Sequence, residues 1–166
     1  KKAAEKIGKG AEKYAMHVKG QEIPMHEPRL KRALGVGYMV SPTGAEHMSN
    51  LHDTALTNKA SISQFKHLGI LEPIPLENLS SQKIRALLYQ VNLRLMINSL
   101  CMCQFMPWDV HQLNMILRAS TGLNTTSWEL MKIGERVNTM TRIFNLREGL
   151  GINDDNLPDR FFSPTN

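Results

Sequence analysis

The stretch Ser80-Ser-Gln-Lys-Ile-Arg-Ala-Leu-Leu-Tyr-Gln-Val-Asn-Leu-Arg-Leu-Met-Ile-Asn-Ser-Leu-Cys-Met-Cys-Gln-Phe105 decides how this chain is read. Apolar residues recur in it at Ile84, Leu87, Leu88, Val91, Leu95 and Met96. That is the i, i+3, i+4, i+7 spacing of one face of a helix. Ser80 or Ser81 can cap its start by accepting from a free backbone N–H of the first turn. The helix runs directly into Cys101-Met-Cys103, and Pro107 then interrupts it. A thiol in a loop at a helix end is free to point at a metal; a buried, inert cysteine is the other reading. An iron–sulfur cluster takes about four thiolates, and the chain has two cysteines. Cys-x-Cys therefore cannot enclose a cluster alone. Either the pair is ordinary packing or the chain is one piece of a larger metalloenzyme.

Working outward, the downstream half repeats the helical signal. Asp109 can cap a helix carrying Val110, Leu113, Ile116 and Leu117, which Gly122 stops. Thr126-x-x-Glu129 is a capping box. It opens a helix with Leu130, Ile133, Val137, Met140, Ile143 and Phe144 on one side and Gly149 as the left-handed residue at its end. The tail is loop, with Pro158 and Pro164. Upstream the pattern is weaker. Ala3, Ala4, Ile7, Ala11, Tyr14, Ala15 and Val18 predict a helical stripe over 2–18, weakened by Gly8 and Gly10 and ended by Gly20. Pro24 and Pro28 make 19–32 an extended arm. Residues 35–45 are rich in Gly, Ser and Pro, with Ser41-Pro-Thr-Gly44 as a turn. Helix is expected over 45–58, and loop or short turns over 60–78. Alternation of β-branched residues is nearly absent. The expected fold is all-α, an irregular helical bundle with long loops.

Of the 166 residues, 42% are apolar, enough to bury a core and to exclude wholesale disorder. Ten methionines against ten aromatic residues suit packed helices better than a β-sandwich. The formal charge of +5 admits a polyanion partner. The lysines crowded at positions 1–13 alternate with Glu5 and Glu12, however, so a solvated helix face accounts for them. No apolar run approaches a membrane span. Two cysteines one residue apart make a poor disulfide framework, which favours a reducing, cytoplasmic setting. His47-Met-Ser-Asn-Leu-His52 lacks the i, i+4 spacing of a zinc helix. A zinc site joining these histidines to the cysteines needs a fold-back, and a histidine beside a glycine turn is more often an ordinary surface or supporting group. His26-Glu-Pro-Arg29 reads as part of a charged arm. Arg136, Arg142 and Arg147, with Glu135 and Glu148, read as surface ion pairs worth a fraction of a kcal/mol each, roughly.

Several blocks stand in a telling order: Tyr14-Ala-Met-His-Val-Lys-Gly-Gln-Glu22, Ile23-Pro24 with Glu27-Pro-Arg29, Gly35-Val-Gly-Tyr38, Gly44-Ala-x-His47, Asn98 to Phe105, Ile133-Gly-Glu-Arg-Val137, Arg142 to Gly149, and Asp154 to Arg160. Together they resemble the C-terminal part of the tungsten-containing aldehyde ferredoxin oxidoreductase family. The stretch 48–80 matches least and is longer than the family's connection there. The resemblance implies a fragment of a longer chain: residues 1–20 a helix or arm from a preceding domain, and 21–166 the C-terminal all-α domain. The full protein is implied to hold a tungsten-bispterin (tungstopterin) and a [4Fe–4S] cluster. It would oxidise aldehydes to carboxylic acids, or the reverse, and pass electrons to ferredoxin or a similar carrier. The isolated segment is expected to fold but to hold neither cofactor and to be inactive.

Residue by residue, the resemblance puts Cys103 at the cluster-ligand position, the last residue of an Asp-x-x-Gly-Leu-Cys motif. Asn98 takes the position of the pterin-contacting acid, and Met102 and Gln104 flank the cysteine. His47 takes the position of the histidine beside the tungsten, a proton donor or acceptor suited to neutral pH. Four departures are visible. Thr43 and Ser49 stand where the family has cations, Asn98 replaces an acid, and Cys101 brings a Cβ where the family's glycine suits a positive φ. Each lost cation would weaken binding of a desolvated phosphate by roughly 1–3 kcal/mol. A related function on the same fold, of the benzoyl-CoA reductase type, stays open. So does a reading of another class, a basic helical module for protein or nucleic-acid interaction. The enzyme reading expects the missing N-terminal domains of the same chain as partners, no nucleic acid and no membrane, and leaves a homodimer open.

Overall fold

The computed structural model describes residues 1–163. Pro164, read as part of the tail loop, lies outside the described residues. The fold is mostly helical, as expected, with one short hairpin among the described residues. Its elements are α1 (Lys2–Ile7), β1 (His17–Val18), β2 (Gln21–Glu22), α2 (Arg32–Val40), α3 (Ser81–Ser99), α4 (Val110–Thr121) and α5 (Ser127–Arg147). 3-10 segments lie between and after them, at Ala11–Tyr14, Asp53–Leu56, Ser61–Leu68, Ile152–Asp154 and Asp159–Phe162.

The C-terminal half forms as its local signals dictate. The Ser80 side chain accepts from the Lys83 N–H at the start of α3. Asp109 and Gln112 close a capping box on α4, as do Thr126 and Glu129 on α5. Gly122 ends α4 at φ 75°, and Gly149 follows α5 at φ 89°. The apolar stripe expected on α5 is the exception. Leu130 is buried, but Met140, Ile143 and Phe144 are exposed, the last at 63%. The helix turns a different side inward, with Gly134 against α3 and Asn145 donating from Nδ2 to the Pro42 carbonyl at 2.8 Å. Contacts at two small or polar positions, one with α3 and one with the Pro42 turn, have overridden the apolar period.

The N-terminal half departs further from expectation. The stripe over 2–18 is not one helix. Gly8, Lys9 and Gly10 take φ of 63°, 54° and 77°, which no α-helix can continue through. Residues 17–22, placed partly in the helix and partly in the arm, form the hairpin. His17 pairs with Glu22 and Val18 with Gln21, which leaves Lys19-Gly20 as a two-residue turn. Both turn residues have positive φ, the requirement of a type I′ turn. Residues 32–40 are helix despite Gly35 and Gly37. A Cβ at Gly37 would lie 2.2 Å from Asn50 Oδ1, so this glycine lets a loop side chain reach the α2 backbone. The helix expected over 45–58 shrinks to the Asp53–Leu56 turn. The Ser41 to Gly44 turn forms as expected, closed by Gly44 N–H to Ser41 C=O at 3.2 Å.

Burial is divided among three small clusters. Leu51, Leu56, Ile62, Phe65, Ile70, Ile74, Ala86 and Leu87 seat the 48–80 region against α3. Met96, Ile97, Val110, Leu113, Leu117 and Leu130 join α3, α4 and α5. Val18, Leu34, Tyr38, Ala45 and Leu157 fix the hairpin, α2 and the tail. Each fully buried Leu or Ile contributes about 1.5–3 kcal/mol. α3 is common to the first two clusters, so its C-terminal end, where the cysteines lie, is held rigidly.

Candidate functional site

α3 stops in a Schellman arrangement. The Met102 N–H reaches back to the Ile97 carbonyl at 3.2 Å and the Cys101 N–H to the Asn98 carbonyl at 3.0 Å. The residue between helix and loop in such a stop is left-handed, and here it is Cys101, at φ 54°. Glycine is the usual occupant; a residue with a Cβ costs about 1–2 kcal/mol more there. The expected conflict at the family's glycine position is therefore real and is absorbed. Met102 packs back on the cluster containing Ile97 and locks the stop.

The loop beyond is pinned by its carbonyls. The Cys103 carbonyl accepts from Trp108 Nε1 at 3.1 Å, and the Gln104 carbonyl from Arg94 Nη1 at 2.6 Å. Gln104 Nε2 donates to Asn98 Oδ1. Both cysteines are free and exposed. A fixed backbone with an exposed thiol suits a ligand to a shared centre, and two thiols one residue apart cannot enclose a cluster alone. Among the described residues no group of three or more His, Cys, Asp or Glu is placed to hold a metal ion. Beside this loop the Arg94 Nε and Gln104 Oε1 atoms are buried without partners. Burial also holds the Arg94 guanidinium below its ordinary pKa.

A cavity of about 1020 Å³ lies beside α3. Ile84, Leu88, Val91 and Leu95 line it along α3, and Asn138, Thr139, Arg142 and Ile143 along α5. The apolar face predicted on α3 thus borders open space for much of its length, with Leu88 48% exposed. Four sequence-predicted residues, Thr43, Ser49, Asn98 and Gln104, meet on this cavity. Thr43 is engaged with Ser41, Oγ1 to Oγ 3.1 Å. The Ser49 N–H donates to Glu46 Oε2 at 2.9 Å. The guanidinium on the cavity wall is already matched: Arg142 Nη2 lies 2.7 Å from Asp155 Oδ2, and Lys19 Nζ lies 2.7 Å from Asp155 Oδ1. Burial pushes the Asp155 carboxyl up, but hydrogen bonds from Arg142 and Lys19 outweigh it and hold the group below its ordinary value.

Met102 and Cys103 lie on the loop rather than in the cavity wall. His47 does not line the cavity either, although its neighbours Glu46 and Met48 do. His47 joins two other imidazoles, with ring centroids 5.0 Å from His26 and 5.9 Å from His52, while His26 and His52 are 4.7 Å apart. Lys31 Nζ is 3.4 Å from Nδ1 of both His26 and His52. His47 and His52 do come together, then, but with His26 and a lysine rather than with the cysteines. Burial, then the charge of Lys31, lowers the pKa of His26 and of His52. The backbone carbonyl of His47 partly opposes this at His52. The sequence alone does not mark His26 or Lys31 as a site residue. The available signal was two prolines, Pro24 and Pro28, fixing the path of a short segment that carries a histidine.

The helix end carries two exposed thiols, and the cleft along α3 is bordered by Asn98 and Gln104 next to that end. Residues 1–166 match the family model for aldehyde ferredoxin oxidoreductase, domains 2 and 3, and the chain belongs to that oxidoreductase family. It is 32% identical over 155 residues to the tungsten-containing aldehyde ferredoxin oxidoreductase of Pyrococcus furiosus, covering 92% of this chain and 24% of that protein. The same-named proteins of Thermococcus kodakarensis and Pyrococcus horikoshii are 28% and 29% identical, over 92% and 89% of this chain and 24% and 23% of theirs. The chain spans about a quarter of the length of these relatives. No helix among the described residues is long and apolar enough to cross a membrane.

Proposed function

We propose that this chain is the C-terminal part of an oxidoreductase interconverting aldehydes and carboxylic acids at a tungsten-bispterin site, with a [4Fe–4S] cluster passing electrons to ferredoxin or a similar carrier. The observation that carries it is the exposed Cys103 thiol on a carbonyl-pinned loop directly after the α3 stop. When bound, the tungstopterin supplies two-electron exchange with the aldehyde and the cluster supplies one-electron exchange with the carrier. This chain's own part is to hold and orient. Cys103 gives one thiolate to the cluster, and Met102 anchors the turn that aims it. Asn98 and Gln104 offer amide donors and acceptors toward the pterin, joined to each other by one hydrogen bond. Thr43 and Ser49 give hydroxyls where the family offers cations. His47 exchanges a proton beside the bound substrate.

A second reading keeps the fold and changes the substrate, as in enzymes of the benzoyl-CoA reductase type. It is favoured by the uncharged Thr43, Ser49 and Asn98 on the wall of a cavity of about 1020 Å³. Metal and substrate analysis of the anaerobically purified full-length protein separates the two.

In that full-length protein, Cys103→Ala is expected to remove cluster iron and acid-labile sulfide. Retention of both at the parent level overturns the ligand assignment. His47→Ala is expected to cut turnover per tungsten by roughly 10²–10⁴ while tungsten content holds. Parallel loss of turnover and tungsten would make His47 a structural residue.

A further inference from the structure

The groups meeting at His47 come from three separate segments. His26 follows the arm proline Pro24, Lys31 sits at the N-cap of α2, and His47 and His52 flank the loop leading to Asp53. The hydrogen bonds set the tautomers. His52 Nε2 lies 3.2 Å from the His47 carbonyl, which only accepts, so Nε2 carries the proton. Its Nδ1 is then a lone pair, facing Lys31 Nζ at 3.4 Å. The ammonium of Lys31 only donates. Its equal approach to His26 Nδ1 therefore makes that nitrogen an acceptor too, with the His26 proton on Nε2. Protonating either ring at Nδ1 would drive a second N–H against the ammonium.

The other charges nearby are committed elsewhere. Glu27 is joined to Arg29, with Oε1 2.8 Å from Nε. The Glu46 carboxylate accepts from the backbone N–H groups of Met48 and Ser49. Asp53 is held by α2 and Lys83. Lys31 is the charged group in direct reach of both rings, 3.4 Å from each Nδ1. His47 shares the cluster but makes no hydrogen bond to that ammonium among those found in the structure.

We propose that Lys31 is a positioning residue for His47: by donating to Nδ1 of His26 and His52 it fixes both as neutral Nε2–H rings and leaves proton exchange in the cluster to His47. The inference rests on His47 being the proton-exchanging residue of the proposed function. It adds that the selectivity among three adjacent imidazoles is imposed by one lysine that needs no contact with substrate.

Diethyl pyrocarbonate acylates neutral imidazole, so its reaction rate against pH, read peptide by peptide in the full-length holoenzyme, reports each ring's titration. Lys31→Met is expected to raise the labelling midpoints of His26 and His52, and Lys31→Arg is expected to restore them. If Lys31→Met does not fold, Lys31→Gln keeps a donor without the charge, and a smaller rise in the same direction is expected. Unmoved midpoints in the folded variant overturn the proposal. The underlying role of His47 fails separately. If His47→Ala leaves turnover per tungsten intact while removal of the Lys31 charge still moves the two midpoints, the catalytic assignment of His47 falls and the tautomer control by Lys31 stands.

Discussion

Lys83→Met is expected to destabilise this chain by about 3–5 kcal/mol, seen in urea denaturation as a lowered midpoint with little change in slope. Lys83 and Asp53 form an ion pair at 3.0 Å with both side chains fully buried. All three ammonium protons are used, on Asp53 Oδ1, on the Pro75 carbonyl at 2.6 Å and on the Leu76 carbonyl at 2.9 Å. Asp53 in turn accepts from the Ala33 and Leu34 N–H groups, each at 3.0 Å, in the first turn of α2. The carboxylate thus serves as a remote cap for a helix whose own N-cap, Lys31, makes no side-chain cap bond. Methionine matches lysine in bulk but leaves a buried carboxylate and two carbonyls without their partner. A buried ion pair replaced on both sides by apolar groups is often neutral. That remedy is not available here, because Asp53→Leu would also strand two α2 N–H groups. Lys83→Met with Asp53→Leu is therefore expected to be no more stable than Lys83→Met alone. A loss under about 1 kcal/mol in the single variant would show that water reaches Asp53 and that the pair is not sealed.

What the sequence made legible follows from how far each determinant acts. Helices α3, α4 and α5 are set by caps within three residues of their starts, at Ser80, Asp109 and Thr126, and each could be read directly. Helix α2 could not, because Gly35 and Gly37 look like breakers and the cap that offsets them is Asp53, about twenty positions downstream. Nothing local to Lys83 marks it either, because its partner Asp53 lies thirty residues away. At the site, the strain at Cys101 was legible because a single position decides it. The four cavity residues Thr43, Ser49, Asn98 and Gln104 were legible as individuals through the family resemblance, but not the space they enclose. The orientation of His47 was not legible at all. It depends on His26 and Lys31, brought in by a chain path that turns at two prolines and the α2 N-terminus. Apolar period showed that the α3 face was apolar without showing that it borders a cavity.

Gly134→Ala is expected to cost about 3 kcal/mol or more, and to disturb the cysteine loop from a position far along the chain. Gly134 lies within α5, where glycine is itself unfavourable by about 1 kcal/mol relative to alanine. On helix propensity alone the substitution should stabilise. The crossing with α3 reverses the sign. A Cβ on Gly134 would fall 1.9 Å from the Asn92 carbonyl oxygen and 2.6 Å from its carbon, contacts with backbone that no rotamer change relieves. The helices must part by more than an ångström, roughly. That separation opens the cluster in which Leu130 of α5 meets Met96 and Ile97 of α3. Ile97 is also the acceptor that closes the α3 stop through Met102 N–H, and the stop sets the direction of Cys103. Two readouts are therefore expected to move together in the full-length protein: a lower unfolding midpoint, and faster reaction of the Cys103 loop with a thiol reagent once the proposed cluster is removed. Stabilisation by Gly134→Ala would mean that α3 and α5 do not approach at this point. A loss of stability with unchanged thiol reactivity would mean that the stop of α3 holds independently of the crossing. The fold conveys the position of one helix end through a contact that only a glycine admits, so the placement of the Cys103 loop depends on a residue with no chemistry of its own.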